Sequence, residues 1–317
     1  MTVFSWAARR RLDLPEPEAR LFQVTPDTRV LAHCYWQPDR ENHPTLLALH
    51  GLEGSSSAHY MLGLADKALR AGFNAVLLNQ RNCGGTEHLG PGLYHSGLMD
   101  DAAFVIRELA DTDRLDRVVA AGYSLGGNLA LRLAGTHTPQ DLPSLTAVCA
   151  VSPVLELEEC VRALERGSNY AYQWNFVRNL KNRMRRKDAC VPGRFDLSRL
   201  RRIRTVRQFD AAYTAPSFGF TSAEDYYHRA AALRVVEHIQ IPALVITAED
   251  DPFVPVNAFR DAALTGNPHI TLVVTKHGGH CGFLAQREGP DDDGYWAEQA
   301  IIAFAKASDL QVQGSRQ

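Results

Sequence analysis

The chain of 317 residues has no C-x-x-C cysteine pair, no long apolar run and no large excess of charge of either sign. Its six cysteines are scattered, which argues against a zinc ribbon or a small disulfide framework and predicts reduced thiols. Because about 18 apolar residues never follow one another, no membrane-spanning helix is predicted. The net charge of −2 gives no general attraction for nucleic acid, so we expect no nucleic-acid partner.

The first residues also lack the order of a secretory signal. A short apolar stretch precedes Arg9, Arg10 and Arg11, whereas an export signal carries its positive charge first. We therefore predict a cytoplasmic location. The composition, with 45% apolar and 22% charged residues, is typical of a packed enzyme-sized domain rather than a disordered or coiled-coil chain.

Short apolar segments that end in polar or glycine-rich sequence predict six buried strands. They cover residues 45–50, 73–79, 118–123, 146–151, 243–247 and 270–275. Helical spacing is found at 60–70 and 101–109, between the first three strands, and a closing helix is predicted at 296–305. This alternation predicts an α/β fold with a doubly wound, mostly parallel sheet.

Residues 152–239 lack this strand rhythm and predict a helical insertion. Apolar side chains recur at Tyr170, Trp174, Val177, Leu180 and Met184, the spacing of an amphipathic helix. A connection of this length is usually functional or disordered, and its aromatic residues argue against disorder, so we predict a cap or lid over the sheet. The expected division is an α/β core in two parts at 1–151 and 240–310, the cap at 152–239 and a frayed tail at 311–317.

The sequence GYSLG at 122–126 stands directly after one predicted strand and before a helical run at 128–134. A serine at such a turn is held in a strained conformation with its hydroxyl exposed, and flanking glycines permit the close backbone approach. We predict that Ser124 is a nucleophile. The alternative is a glycine-rich turn in which Ser124 only caps a helix.

A serine hydroxyl needs a base, and the base needs an orienting carboxylate. Candidates follow two later strands, in the sequences EDDP at 249–252 and HGGH at 277–280. The order Ser, Asp, His is that of a hydrolase triad at the carboxyl ends of parallel strands. We favour Asp251, which precedes a proline-led turn, over Asp250, and His280, which lies between two nearby glycines, over His277.

The spacing His-x-x-His can also ligate a metal. Glycines between these two histidines argue against a helix, and no third ligand is near, so neither a metal nor a cofactor is predicted. The glycine-rich turn HGLEG at 50–54 follows the first strand. We expect the backbone N–H groups of Leu52 and Leu125 to form an oxyanion hole, with His50 packed beneath the turn.

Seven blocks of sequence give the chain a family resemblance. They are HGLEGSSSAHY (50–60), NQRNCGG (79–85), YHSGLMDD (94–101), GYSLGGN (122–128), FDAAYTAPSFGFTSAEDYY (209–227), AEDDPFVP (248–255) and HGGHCGF (277–283). In these blocks, from about residue 45 to 304, the chain resembles the α/β-hydrolase superfamily, and within it the YheT-like branch, also called AB hydrolase family 4. The resemblance implies a Ser/Asp/His hydrolase acting on carboxylic esters, with phospholipid or medium-chain acyl esters as substrates of some eukaryotic members. One departure is Asn82, where the branch has glycine.

These features predict a serine esterase or lipase that cleaves carboxylic esters through an acyl-enzyme, without a cofactor. Its expected partner is a small-molecule or lipid acyl ester. The same triad would serve an amidase, a peptidase or an acyltransferase, because the sequence does not identify the acyl acceptor. A binding protein on a hydrolase fold is the non-catalytic alternative.

Residues 178–207 of the predicted cap are strongly basic. Twelve basic residues stand there against Asp188 and Asp196: Arg178, Lys181, Arg183, Arg185, Arg186, Lys187, Arg194, Arg199, Arg201, Arg202, Arg204 and Arg207. The simpler interpretation is a solvated face balanced by acidic surface elsewhere. The sharper hypothesis is peripheral contact with an anionic membrane, which would bring acyl esters to Ser124.

Overall fold

The apolar segments pair as strands of one sheet in the computed structural model, which describes residues 10, 12–287, 289 and 292–316. The eight strands of that described part are β1 (Glu18–Thr25), β2 (Thr28–Tyr35), β3 (Thr45–Leu49), β4 (Asn74–Leu78), β5 (Val118–Tyr123), β6 (Leu145–Val151), β7 (Ala243–Ala248) and β8 (Ile270–Thr275). Their order across the sheet is β1-β2-β4-β3-β5-β6-β7-β8. β2 is antiparallel to β1 and β4, whereas all other neighbours are parallel. The predicted α/β fold with a mostly parallel sheet is thereby confirmed.

Helices follow most of the parallel strands. They are α1 (His59–Arg70), α2 (Asp100–Asp113), α3 (Leu125–Thr136), α4 (Leu157–Leu164), α5 (Tyr170–Cys190), α6 (Val206–Phe209), α7 (Ala215–Ser217), α8 (Ala223–Ala230), α9 (Ala262–Thr265) and α10 (Trp296–Arg316). A π-helical turn, Asp210–Thr214, joins α6 to α7. No helix in the described part of the chain combines the length and the apolar character that crossing a bilayer requires.

Strand β5 shows how the core is built on both faces of the sheet. Val118 and Ala120 pack into the cluster that contains α2 and α3, whereas Val119 and Ala121 pack into the cluster that contains α1 and α10. Successive side chains of a strand point to opposite faces, so a strand covered on both sides is apolar at every position. All six residues of β5 are accordingly buried, and the sheet is doubly wound.

Three elements differ from the prediction. Strand β8 forms at the predicted residues, but none of its six residues is buried. The hairpin β1–β2 was not predicted, because β1 has a single buried residue, β2 alternates between buried and less buried residues, and neither offers a continuous apolar run. The predicted closing helix begins at Trp296, but it continues to Arg316 instead of ending at residue 305. The helix thus includes residues 311–316 of the predicted frayed tail, and residue 317 lies outside the described residues.

The segment between β6 and β7 holds helices α4 to α8. Its longest helix, α5, carries the predicted apolar stripe only in part. Val177, Leu180 and Met184 are buried in a cluster with α6, whereas Tyr170 and Trp174 are 70% and 54% exposed. The stripe prediction was wrong at these two aromatic residues, because they lie in the first turns of the helix and their side chains are exposed to solvent.

Candidate active site

Ser124 stands on a sharp turn between β5 and α3. Its backbone angles, φ 55° and ψ −115°, lie in a region that a side-chain-bearing residue rarely adopts. A Cβ atom on Gly122 would overlap the carbonyl oxygen of Gly126, and one on Gly126 would overlap that of Leu49. The two glycines are therefore required for the turn to close, and the turn projects Ser124 from the end of the sheet.

Two hydrogen bonds in series link Ser124 to residues that follow other strands. The Oγ atom of Ser124 lies 2.9 Å from Nε2 of His280, and Nδ1 of His280 lies 2.9 Å from Oδ2 of Asp251. Because a carboxylate only accepts, it places the imidazole proton on Nδ1 and leaves Nε2 free to accept from the serine hydroxyl. Asp251 follows β7 and His280 follows β8, so neighbouring parallel strands bring the three side chains together.

The Asp251 carboxylate is fixed from its other side. Its Oδ1 accepts hydrogen bonds from the backbone N–H groups of Phe253 and Val254, both at 3.0 Å. The side chain of Asp251 is fully buried and that of His280 is 10% exposed. Because the local dielectric constant is low in such a buried site, the electrostatic attraction between the fixed carboxylate and the imidazole is strong.

This environment shifts the pKa of His280. Burial lowers the pKa, because it disfavours the charged imidazolium, but the charge and the hydrogen bond of Asp251, together with those of the neighbouring Cys281, raise it. The net result is a His280 pKa well above the ordinary value of 6.5. The site therefore stabilises the protonated imidazole that forms when the serine proton is taken.

The neighbouring carboxylate, Asp250, has a different role in the structure. Its Oδ1 accepts from the backbone N–H groups of Gly278 and Gly279, at 2.8 and 2.7 Å. The side chain of His277 is 73% exposed, with its Nδ1 atom 3.5 Å from Asp250. Asp250 thus supports the loop that carries His280, and the structure favours Asp251 and His280 as the members of the hydrogen-bonded series.

The turn at 50–54 lies against the serine. A Cβ atom on Gly51 would be 3.3 Å from Cβ of Ser124, and Leu52 and Leu125 line the same cavity as Ser124 and His280. The N–H group of Leu125 belongs to the first turn of α3 and has no intrahelical acceptor. Within the described residues, neither the Leu52 nor the Leu125 N–H donates to a backbone carbonyl. Their assignment to an oxyanion hole stays a prediction.

His50 is buried beneath this turn. Its Nε2 accepts from the N–H of Gln80 at 3.1 Å, so Nδ1 carries the proton and donates to the carbonyl of Gly51 at 2.8 Å. Burial lowers the pKa of His50 to about 4, which keeps the ring neutral. His50 therefore holds the shape of the turn.

The cavity above Ser124 is walled mainly by apolar side chains of the segment between β6 and β7. They include Leu157, Val161 and Leu164 of α4, Phe176, Leu180 and Met184 of α5, and Val206 and Phe209 of α6. Such a surface favours an apolar ligand group. Asn82, the departure from the branch pattern, also lines this cavity, and its φ of 63° keeps the left-handed turn that a glycine would allow.

Polar residues that sequence reasoning did not assign also line the cavity. Asp210 is buried, accepts from the hydroxyls of Thr214 and Tyr227 at 2.7 and 2.8 Å, and has its pKa raised by burial to about 6. Arg183 is also buried and forms an ion pair with Glu53. Asp210 falls in a resemblance block and Arg183 in the basic run, but neither pattern indicates burial.

Comparisons with known proteins identify the family of the chain. The model of the alpha/beta hydrolase fold family matches residues 44–285. YheT of Escherichia coli is 35% identical over 247 residues, which cover 77% of this chain and 72% of YheT. The mouse phospholipase ABHD3 is 29% identical over 265 residues, 82% of this chain and 61% of that protein. Monoacylglycerol lipase of Saccharomyces cerevisiae is 27% identical over 288 residues, 86% and 63% of the two chains.

A solved structure shows the same fold. An esterase of Pyrococcus furiosus superposes with a TM-score of 0.59 at 17% identity, over 95% of this chain and 98% of its own. The chain belongs to the α/β-hydrolase family. Within it the chain falls in the YheT-like branch, as its motifs suggested, and it is a hydrolase whose relatives include proteins named as esterases and lipases. It spans about three fifths of the length of the mouse and yeast relatives.

Proposed function

We propose that the protein is a serine esterase that cleaves carboxylic esters at Ser124. The observation that carries the proposal is the series of two 2.9 Å hydrogen bonds from Ser124 through His280 to Asp251, at the floor of an apolar cavity. Relatives named as esterase, phospholipase and monoacylglycerol lipase support an ester as the substrate.

In the proposed reaction, Oγ of Ser124 attacks the ester carbonyl carbon while Nε2 of His280 takes the serine proton. The N–H groups of Leu52 and Leu125 bind the oxyanion, and Asp251 holds the imidazolium. The C–O bond to the alcohol then breaks, and His280 returns the proton to the departing oxygen. Water, deprotonated by His280, attacks the acyl-enzyme and releases the carboxylic acid and free Ser124.

A substrate panel tests this proposal. Wild type should hydrolyse p-nitrophenyl butyrate, and Ser124→Ala should lose at least about 10³-fold in kcat. Ser57→Ala, which alters an exposed serine, is the matched control and should keep full activity. Matched anilide and alcohol-acceptor substrates separate an amidase or acyltransferase from an esterase. Hydrolysis of esters by Ser124→Ala at the wild-type rate would contradict the assignment.

We further propose that the outer face of α5 contacts anionic lipid surfaces. Tyr170, Trp174, Arg178, Lys181 and Arg185 follow one another at intervals of four, four, three and four residues, so they share one face. Burial lowers the pKa of Lys181, and the positive charges of Arg204 and Arg185 lower it further, so these cations are neighbours. Exposed aromatic rings beside clustered cations suit a lipid headgroup layer.

The predicted basic surface is nevertheless smaller than the sequence indicated. Arg183 and Lys187 are buried, and Lys187 donates to the carbonyl of Glu87. Arg207 forms ion pairs with Glu158, Glu165 and Glu224. These three residues were wrongly placed on the basic face, because a run of charge does not reveal which side chains turn inward.

Co-sedimentation with vesicles tests the lipid contact. At low salt the wild type should bind phosphatidylglycerol-containing vesicles and not pure phosphatidylcholine, and Lys181→Glu/Arg185→Glu should weaken binding by about tenfold or more. The control is the double variant Arg107→Glu/Arg114→Glu, which should bind vesicles as the wild type does. Arg107 lies in α2 and Arg114 directly follows it, and both are exposed. Equal, negligible binding to both vesicles would leave only a solvated face.

Two further expectations stay predictions. One is the cytoplasmic location. The other is the division of the chain into a core of two parts, 1–151 and 240–310, with a separate cap at 152–239.

A further inference from the structure

We propose that Arg183 and Glu53 are positioning residues, which hold the oxyanion-binding turn in its productive shape from the side of α5. The oxyanion-binding turn is residues 50–54, with Leu52 as its amide donor. This inference rests on the proposed esterase function. It gives the segment between β6 and β7 a direct role in catalysis besides that of a wall for the cavity.

Arg183 approaches Glu53 in two ways. Its guanidinium forms an ion pair with the Glu53 carboxylate, and the two side chains are only 6% and 8% exposed. It also lies over the ring of Tyr94, 4.5 Å from the ring centroid. The hydroxyl of Tyr94 accepts a hydrogen bond from the N–H of Glu53 at 3.2 Å. Both the side chain and the backbone of Glu53 are therefore fixed by groups that contact Arg183.

The rest of the turn is anchored differently. The N–H of Gly51 donates to the hydroxyl of Tyr60 at 3.1 Å, and the carbonyl of Gly51 accepts from His50 and from the N–H of Gly54. These contacts hold the residue before Leu52. Glu53 is the residue after Leu52, and Arg183 and Tyr94 hold it. The direction of the Leu52 N–H therefore depends on how both of its neighbours are held.

Glu53 needs such support because its backbone is strained. Its φ of 61° lies in the left-handed region, which a residue other than glycine keeps only when its surroundings hold it there. Without Arg183, the Glu53 carboxylate would be a buried charge that gains by turning toward water. That rotation would move the peptide that follows Leu52.

A buried ion pair is also an expensive way to fill space, because both charges lose their hydration. An apolar pair at positions 53 and 183 would suit the walls of the cavity and need no hydration to be removed. The pair has a function if the attraction between its two charges holds the geometry of the turn. Arg183 also lines the cavity, so a direct contact with substrate is the competing interpretation, and the two differ in what they predict for kcat and KM.

The test compares two conservative variants with a matched ion pair. Glu53→Gln and Arg183→Lys keep the size of the side chains but weaken the pair. Arg186 and Glu87 form another ion pair between α5 and the loop after β4, at 2.6 Å, in which neither residue belongs to the oxyanion-binding turn. Arg186→Lys and Glu87→Gln therefore report the general effect of loosening α5. Thermal unfolding of each variant confirms that it is folded.

The readouts are kcat and KM for p-nitrophenyl butyrate and the inhibition constant of a trifluoromethyl ketone, which forms a tetrahedral oxyanion on the serine. We expect Glu53→Gln to lower kcat about tenfold or more while KM stays within about threefold of the wild-type value. The inhibition constant of the ketone should rise by the same factor by which kcat/KM falls. Arg183→Lys should act in the same direction. The control variants should stay within about twofold of wild type.

Three results would overturn the inference. They are an unchanged kcat in Glu53→Gln, a rise of KM alone, which would indicate substrate binding by Arg183, and a loss of kcat with unchanged ketone affinity. If Arg183→Lys fails to fold, Glu53→Gln alone decides. A wild type without esterase activity would instead contradict the proposed function, so the two failures are distinguishable.

Discussion

Ser124 is the residue on which the candidate site depends, and neighbouring residues hold its backbone in a strained conformation. The turn closes only because Gly122 and Gly126 leave room for carbonyl oxygens where a Cβ atom would lie. A strained residue at such a turn persists when the surrounding structure holds it. The rigid sheet and α3 supply that support, because the turn lies between them.

Gly126→Ala should therefore destabilise the protein and abolish ester hydrolysis. The added methyl group would overlap the carbonyl of Leu49, so the turn or β3 must shift, at a cost of about 1–3 kcal/mol or more. Urea unfolding followed by fluorescence measures this cost. Gly167→Ala is the control, since its methyl group would enter open space, and its unfolding free energy should change by less than about 0.5 kcal/mol. Equal stability of both variants would show that the turn is not closely packed.

The raised pKa of His280 predicts the pH dependence of the reaction. The imidazole must be neutral to accept the serine proton, so kcat/KM should fall as the pH drops through the His280 pKa. Because Asp251 holds that pKa above its ordinary value, the midpoint of the acid limb should lie above pH 6.5. Asp251→Asn should lower kcat by about 10³-fold or more and move the midpoint to lower pH, because the charge that contributes most to raising the His280 pKa is removed.

Asp250→Asn is the matched comparison for this pH profile. Asp250 supports the loop of His280 through two backbone N–H groups, so the variant should lose less activity than Asp251→Asn and keep the midpoint above pH 6.5. A pH–rate profile of kcat/KM for the three proteins decides. If Asp250→Asn moved the midpoint and Asp251→Asn did not, Asp250 would be the orienting carboxylate.

The three hydrogen-bonded side chains of the candidate site could be predicted from the sequence because each lies within a few residues of a strand end. A strand, a turn and a reactive residue form a local pattern, and parallel strands bring such turns to one edge. Arg183 and Glu53 could not be predicted in this way. They are far apart in the chain, and their contact depends on how α5 packs over the sheet.

Among the elements, α5 combines two surfaces that the sequence alone did not separate. Its inner side carries Val177, Leu180 and Met184 into the cluster above the cavity, and its outer side carries exposed aromatic and basic residues. The sequence showed an apolar period of 3.6 residues, but the period does not say which end of a helix is covered by other segments. The first turn of α5, which contains Tyr170, extends beyond the segments that pack against the rest of the helix.

Met184→Ala should cost about 2 kcal/mol or more of unfolding free energy, because Met184 is 1% exposed and its truncation leaves a void. Tyr170→Ala should cost less than about 0.5 kcal/mol, since Tyr170 is 70% exposed. Urea unfolding of the full chain measures both. If Tyr170→Ala lowered the unfolding free energy by more than Met184→Ala does, the outer face of α5 would be covered in solution.

At the scale of the whole molecule, the parallel centre of the sheet was predictable and its antiparallel edge was not. Strands β3 to β7 are covered on both faces and therefore appear in the sequence as continuous apolar runs. β1 and β2 are partly exposed, and their alternating pattern is weaker over eight residues. The long segment between β6 and β7 was predicted as helical, but its contacts with the turn at 50–54 became visible only in three dimensions.

The central claim is that Ser124 is the nucleophile of a serine esterase. A fluorophosphonate probe, followed by peptide mass spectrometry, tests it most directly, because labelling needs the nucleophile, the base and an accessible cavity together. We predict one adduct per chain, on Ser124, with labelling abolished in Ser124→Ala and strongly slowed in His280→Ala. No labelling of the wild type, or an adduct on another serine with Ser124 unmodified, would contradict the account.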